Sequence, residues 1–72
     1  MVNTQLLNGK IIAAGYTQTT LAPKVNMSRS NLNAKINNLL PFNCDEVLLI
    51  CDAINIVEPE EKVIIFLSKS SQ

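Results

Sequence analysis

The stretch QTTLAPKVNMSRSNLNAKINN, residues 18–38, constrains the fold of this chain more than any other. Its apolar side chains are spaced for two short helices that face each other and a core across a turn. They are Leu21, Val25, Met27 and Leu32, with the small Ala22 where the helices would cross. Thr17 and Ser28 are strong N-caps, and Asn26 suits a left-handed turn residue. The stretch therefore predicts a helix-turn-helix over about residues 17–38.

The apolar spacing is also helical before and just after this stretch. A first helix is predicted from Leu6, Leu7, Ile11, Ile12 and Ala14, with a cap at Asn3 or Thr4 and a stop at Gly15. Gly9 inside that helix costs about 1 kcal/mol relative to alanine, a cost that would be tolerated if another helix crosses closely there. Pro41 is predicted to close the third helical segment, which buries Leu32 and Ile36.

Two further elements are predicted after Pro41. Asn43 and Glu46 form a capping-box pattern for a fourth helix. Its predicted inner face is Cys44, Val47, Leu48, Cys51 and Ile54, with Leu49 and Ile50 outside it. Residues 58–61 open a fifth element, whose β-branched run VIIFL fits a helix or a short strand. The sequence thus predicts one all-α domain over residues 1–72, a compact four- or five-helix bundle with a central helix-turn-helix.

Composition argues against several classes of function. The 72 residues include no histidine and two cysteines, so we predict no enzyme activity, no metal, no cofactor and no small-molecule ligand. Cys44 and Cys51 are seven positions apart on one helix, too far for a mutual disulfide, and are predicted to be buried reduced thiols. Because no apolar run reaches the roughly 18 residues of a membrane span and no signal peptide is recognisable, we predict a cytoplasmic protein without a membrane partner.

The zero net charge of the chain conceals two oppositely charged halves. Residues 1–42 contain four basic side chains and no acid, whereas residues 43–72 contain six acids and two lysines. Such an asymmetry predicts two surfaces with different partners. The basic half contains the helix-turn-helix, so neutrality of the whole chain does not exclude nucleic acid as a partner.

The helix-turn-helix stretch resembles a known family. The run GYTQTTLAPKVNMSRSNLNAKINN is similar to the Cro/repressor helix-turn-helix family, in which a TQ-x-x-LA helix precedes a turn and an S-R-x-x-L recognition helix. With LNGKIIAAG, CDEVLLICDAINI and EEKVIIFL, the resemblance covers about residues 6–67 and extends to small Cro-like switch proteins of phages of Gram-positive bacteria. It implies a lambda-repressor-like fold and a third helix lying in the major groove of DNA.

The resemblance also implies which residues contact DNA. Arg29 would grip guanine, Asn33 would pair with adenine, and the Ala34 methyl would meet a thymine methyl. Gln18 matches the family's phosphate-contacting glutamine, and Lys35 is expected to clamp the DNA backbone. The full predicted set is Gln18, Thr19, Ser28, Arg29, Ser30, Asn33, Ala34, Lys35 and Asn38.

The chain departs from the family pattern at three positions. Pro23 lies inside the second helix, which we therefore expect to be short, kinked or shifted. Asn26 replaces the commoner glycine of the turn. Lys35 stands where the family buries an apolar residue, and the neighbouring Ile36 is expected to take over that role.

Apolar residues of the acidic half exceed what so small a core can hide and predict an interface. They are Leu49, Ile50, Val63, Ile64, Phe66 and Leu67. A two-fold homodimer formed there would set two recognition helices one turn of DNA apart. The prediction is a phage-type transcriptional regulator of the lytic/lysogenic switch that binds double-stranded operator DNA. The alternative is a modulator or antirepressor that binds the phage repressor protein instead of DNA.

Overall fold

Five α-helices make up the computed structural model, which describes residues 1–67. They are α1 (Thr4–Ala13), α2 (Gln18–Lys24), α3 (Arg29–Ile36), α4 (Cys44–Ala53) and α5 (Pro59–Phe66). Residues 1–67 contain no strand, so the all-α fold is confirmed and the VIIFL run is helical up to Phe66. None of the helices described is long and apolar enough to cross a membrane.

Side-chain caps start four of the five helices. The side chains of Asn3, Thr17, Ser28 and Asn43 each accept a hydrogen bond from a backbone N–H in the first turn, as the sequence predicts. Thr17 and Asn43 complete capping boxes with the residue three positions later. α5 begins differently, with Pro59 at its first position and two acids beside the positive end of the helix.

The first four helices end in the same way, with one residue in the left-handed region. These residues are Gly15 (φ 87°), Asn26 (φ 58°), Asn38 (φ 65°) and Asn55 (φ 60°). The next backbone N–H bonds back to a carbonyl five residues earlier, as Met27 does to Ala22 at 3.0 Å. Because Asn38 already terminates α3, which ends at Ile36, the prediction that Pro41 closes this segment is wrong.

The core is entirely apolar and draws on all five helices. It contains Leu7, Ile11, Leu21, Ala22, Val25, Leu32, Ile36, Ile50, Cys51, Ile54, Ile56, Ile65 and Phe66. Residues 1–67 contribute no buried polar or charged residue to it. The predicted packing of the helix-turn-helix is confirmed, since Leu21, Val25 and Leu32 are fully buried and Ala22 is buried between the helices.

The inward face of α4 was predicted only in part, since Val47, Cys51 and Ile54 pack inward as predicted and two other residues do not. Cys44 is exposed and Leu48 is 54% exposed, whereas Ile50 is completely buried. The buried stripe runs through Ile50, Cys51 and Ile54, so the inward face is shifted away from Cys44 and Leu48 toward Ile50. Apolar residues run continuously from 47 to 51, and such a run does not specify which side faces inward.

The two cysteines occupy different environments. Cys51 is buried as predicted, and burial raises the pKa of its thiol, partly offset by the nearby Lys62 charge. Cys44, at the start of α4, is exposed, which contradicts the predicted burial. Both are free thiols.

Gly9 and Pro23 show how α1 and α2 accommodate unfavourable residues. A Cβ added at Gly9 would meet no atom within 4 Å, so no helix that the structure describes crosses closely there. Pro23 is exposed and lies one residue before the end of the seven-residue α2, which is short as expected. The ring therefore interrupts only the last turn, where few hydrogen bonds remain to be lost.

The start of α1 ties the helix-turn-helix to the C-terminal helix. The backbone N–H of Asn3 donates to the carbonyl of Ile65 at 2.7 Å. The hydroxyl of Thr4 donates to the carbonyl of Ile36 at 2.7 Å, at the end of α3. These two bonds fix α3 and α5 against the same end of α1.

Candidate nucleic-acid interface

The start of α2 presents two of the predicted contact residues. Thr17 and Thr20 form the capping box, in which the Thr20 hydroxyl accepts from the Thr17 backbone N–H at 2.8 Å. This cap fixes Gln18 as the first helical residue, half-buried, with Thr19 exposed beside it. The side chain of Gln18 points toward both neighbouring helices, since it bonds to Asn8 of α1 and Asn33 of α3.

The first turn of α3 is exposed. The Ser28 hydroxyl accepts from the Asn31 backbone N–H at 3.1 Å, so Arg29 and Ser30 occupy the first two helical positions. Within residues 1–67 the Arg29 guanidinium has no ion-pair partner. Asn33 is exposed one turn later, and Ala34 beside it is half-buried. We call Gln18, Thr19, Arg29, Ser30 and Asn33 the polar face.

A chain of carboxamides runs across the polar face. Asn33 Nδ2 donates to Gln18 Oε1 at 2.8 Å, and Gln18 Nε2 donates to Asn8 Oδ1 at 3.3 Å. At the other end, Asn37 Nδ2 donates to the Asn33 backbone carbonyl at 2.9 Å and to Asn33 Oδ1 at 3.3 Å. Asn8 and Asn37 were missed from the sequence. For Asn37 the available signal was its position four residues after Asn33, on the same helix face.

Lys35, which is predicted to contact the DNA backbone, forms an ion pair within the protein. Its ammonium donates to Glu46 Oε2, and both side chains are only 16% exposed. The pair joins α3 to α4 at a position where the family has an apolar residue. The bond from Lys35, helped by the Asn43 backbone N–H, holds the pKa of the Glu46 carboxyl below its ordinary value. A partly buried ammonium requires such a partner, which makes Lys35 unavailable as a free cation.

Asn38, which is predicted to contact DNA, also bonds within the protein. Its Oδ1 accepts from the Val2 backbone N–H at 2.8 Å, and its Nδ2 donates to the Val2 carbonyl at 3.0 Å. Both ends of the amide therefore bind the N-terminal segment, in the manner of a short piece of β-ladder. With its left-handed backbone, Asn38 ends α3, and its side chain anchors the N-terminal segment.

The charge of the basic half is partly neutralised inside the molecule. Lys10 pairs with Glu61 at 2.6 Å, and Lys35 pairs with Glu46, so two of the four cations of residues 1–42 are bound to acids of the other half. Lys24 and Arg29 are exposed and form no ion pair with any residue that the structure describes. Two ion pairs therefore connect the two oppositely charged halves seen in the sequence.

The predicted interface is partly exposed and borders an apolar groove. Val63, Ile64 and Leu67 are between 52% and 69% exposed, and Leu49 is 39% exposed. Ile50 and Phe66 belong to the core, so their assignment to an interface surface is corrected. A groove of about 700 Å³ lies between the N-terminal segment, the connection from α3 to α4, and α5. Its apolar lining includes Val2, Leu39, Leu40, Phe42, Val63, Phe66 and Leu67.

The search for a metal site within residues 1–67 and the comparisons with known proteins both gave negative results. No group of three or more histidine, cysteine, aspartate or glutamate side chains within residues 1–67 is placed to hold a metal ion. The chain matches no protein-family model, no curated protein and no solved structure. The polar face and the residues that carry the family resemblance are therefore the features that bear on function.

Proposed function

We propose that this protein is a phage-type transcriptional regulator that binds operator DNA through α2 and α3 in the host cytoplasm. The observation that carries the proposal is the polar face, where the unpaired Arg29 and the amide of Asn33 lie exposed on one side of α3. Their spacing of four residues places both side chains on the same side of a helix. A helix of this kind fits the major groove of B-DNA.

Each residue of the polar face has a proposed role. Arg29 contacts guanine with both arms of its guanidinium, and Asn33 contacts adenine. Gln18 has one unused N–H for a phosphate oxygen, since Asn8 takes the other. Thr19 and Ser30 are short hydroxyl donors suited to phosphate contacts beside it. These contacts divide into two that specify sequence and three that position the protein.

We place the homodimer contact at Leu49, Val63, Ile64 and Leu67, of which Val63 and Leu67 line the apolar groove. Exposed apolar side chains of this number favour an interface between two copies. Such a dimer would double the contacts of a small recognition helix, so that the operator would contain two half-sites.

The test is selection from a randomised duplex DNA library, followed by titration of the enriched sequence. Arg29→Ala should weaken binding to that sequence at least tenfold, since a bidentate contact to guanine contributes about 1–3 kcal/mol. Arg29→Lys is the matched control, because it keeps the charge and loses the two-armed geometry. It should bind unselected DNA like the wild type and still lose the guanine preference. Failure of the wild type to enrich or shift any duplex at low salt would refute the proposal.

A second candidate function is favoured by the internal ion pairs. With Lys10 and Lys35 bound to acids, few free cations remain to hold DNA phosphates, which suits a modulator that binds the phage repressor protein. The apolar groove and the exposed residues around it offer a surface for such a partner. Calorimetry against the phage repressor that this candidate function requires separates the two functions. A complex at micromolar concentration without DNA supports the modulator, and its absence excludes it.

A further inference from the structure

In the carboxamide chain, each amide has its NH2 group on one side and its oxygen on the other. A backbone carbonyl oxygen at one end of the chain fixes which way round the first amide is. Asn37 Nδ2 lies 2.9 Å from the backbone carbonyl oxygen of Asn33, which can only accept a hydrogen bond. The end of the Asn37 amide that faces α3 must therefore be its NH2 group. The same Nδ2 donates to Asn33 Oδ1 at 3.3 Å, so the side-chain oxygen of Asn33 is turned toward Asn37.

This orientation passes along the chain from one amide to the next. Because Asn33 turns its oxygen to Asn37, its Nδ2 faces α2 and donates to Gln18 Oε1 at 2.8 Å. Gln18 in turn directs its Nε2 to Asn8 Oδ1 at 3.3 Å. A rotation of the Asn33 amide by 180° would place two NH2 groups against each other at Asn37 and two oxygens against each other at Gln18. The chain therefore holds Asn33 in one of its two orientations.

The bonds already made determine what Asn33 can still offer to a base. A carboxamide has two N–H donors and two oxygen lone pairs. In Asn33 one N–H goes to Gln18 and one lone pair to Asn37, which leaves one donor and one acceptor on an exposed side chain. In the major groove adenine presents one acceptor and one donor, whereas guanine presents two acceptors, cytosine a donor and thymine an acceptor. Among the four bases, only adenine can bond to both the free N–H and the free oxygen lone pair of Asn33.

We propose that Asn37 is a positioning residue that, through the four-amide chain, restricts Asn33 to reading adenine. The inference rests on the proposed DNA binding and adds to it the base at one position of the operator. Without Asn37 the Asn33 amide can turn and offer both of its N–H groups to guanine. Loss of Asn37 therefore changes which base is accepted, and it should leave the positions read by Arg29 unchanged.

The experiment compares base preferences in a randomised duplex DNA library. The proteins are the wild type, Asn37→Ala, Asn37→Ser, and the control Asn31→Ala, which removes another exposed asparagine of α3 whose side chain lies outside the amide chain. The wild type should prefer adenine over guanine by about tenfold or more at one position of each half-site. Both Asn37 variants should lose at least fivefold of this preference, and Asn31→Ala should keep it. Melting followed by circular dichroism establishes that each variant is folded.

The outcomes separate this inference from the proposed function. A wild type that enriches no sequence refutes both. A wild type that enriches a site whose adenine preference survives in the folded Asn37 variants refutes only the role of Asn37. Folded Asn37 variants that lose affinity for all sequences equally also refute it, because Asn37 would then contact the DNA backbone. Loss of the adenine preference in the Asn37 variants alone supports it.

Discussion

The partly buried pair between Lys35 and Glu46 should stabilise the fold far more than the second ion pair, between Lys10 and Glu61. Both pairs join the basic half to the acidic half at hydrogen-bond distance. They differ in exposure, since the side chains of the first pair are 16% exposed and those of the second are 35% and 38% exposed. The comparison therefore isolates the effect of solvent on one type of contact.

The expected magnitude follows from this difference. Two unit charges about 4 Å apart attract by about 4 kcal/mol at an effective dielectric constant near 20, the value that suits pairs near a protein surface. Ordering two long side chains and partly desolvating them offsets half of this or more. We expect about 1–2 kcal/mol of coupling between Lys35 and Glu46. For the more exposed pair we expect about 0.5 kcal/mol or less, which is usual for surface pairs.

Double-mutant cycles measure both couplings. One cycle uses Lys35→Met, Glu46→Gln and the double variant, and the other uses Lys10→Met, Glu61→Gln and their double variant, all unfolded in urea at pH 7. Lys35→Met alone should lower the free energy of unfolding by about 2 kcal/mol, because it leaves a partly buried carboxylate without its cation. In a domain of this size that corresponds to a melting temperature lower by about 8–16 °C.

The pH dependence provides an independent check. Since the folded pKa of Glu46 is lowered, its stabilising contribution is fully present above the unfolded value near 4.3 and is lost as the pH falls through the lower folded value. The Lys35–Glu46 coupling should therefore be unchanged from pH 7 to pH 5 and disappear in stronger acid. Equal couplings in the two cycles, or a Lys35–Glu46 coupling that persists after Glu46 is protonated, would refute the reasoning.

Three further predictions concern DNA affinity, a helix end and the interface. Because Arg29 is assigned to a base, Lys24 is the cation of residues 1–42 that remains free for a phosphate, and the slope of log K against log salt should be about −1.8 for a dimer, measured by titration at several salt concentrations. A slope of about −5.4 would mean that Lys10 and Lys35 leave their ion pairs on DNA. Gly15→Ala should lower the free energy of unfolding by about 1 kcal/mol in urea titration. The alanine Cβ would meet no neighbouring atom, so the loss comes from the left-handed backbone at φ 87° alone. An unchanged free energy of unfolding would contradict this reason. Val63→Asp should weaken self-association at least tenfold by ultracentrifugation, whereas the control Val57→Asp, 73% exposed and outside the groove, should not; equal effects would place the interface elsewhere.

Helix starts and the stops at Gly15 and Asn26 were predictable because their signals are local, whereas the stop of α3 was assigned to Pro41 instead of Asn38. The caps at Thr17, Ser28 and Asn43 and the left-handed Asn26 each depend on bonds within a few residues along the chain. Most of the helix-turn-helix packing was predictable for the same reason. The two helices adjoin in sequence, so the spacing of their apolar residues shows which sides face each other.

What failed depended on contacts between distant segments. In α4, Leu48 and Ile50 are equally apolar, so the sequence does not show which of them is buried. The helices that pack against α4 determine that Ile50 is buried and Leu48 is exposed. The roles of Lys35 and Asn38 depend on Glu46 and Val2, and only the folded chain brings these residues together. At the polar face the sequence indicated the exposed first turn of α3, but not the amides that orient it.

The four left-handed helix ends also bear on how quickly the chain folds. Each helix from α1 to α4 is capped and terminated by bonds spanning at most five residues, so its boundaries are defined before any distant segment arrives. Chains dominated by local contacts fold in microseconds to milliseconds, since little loop-closure entropy is lost before contacts form. Three of the four ends use asparagine, which has less freedom than glycine in the unfolded chain and so narrows the search further. We therefore expect the main refolding phase within milliseconds in stopped-flow experiments, followed by slow phases from isomerisation at Pro23, Pro41 and Pro59.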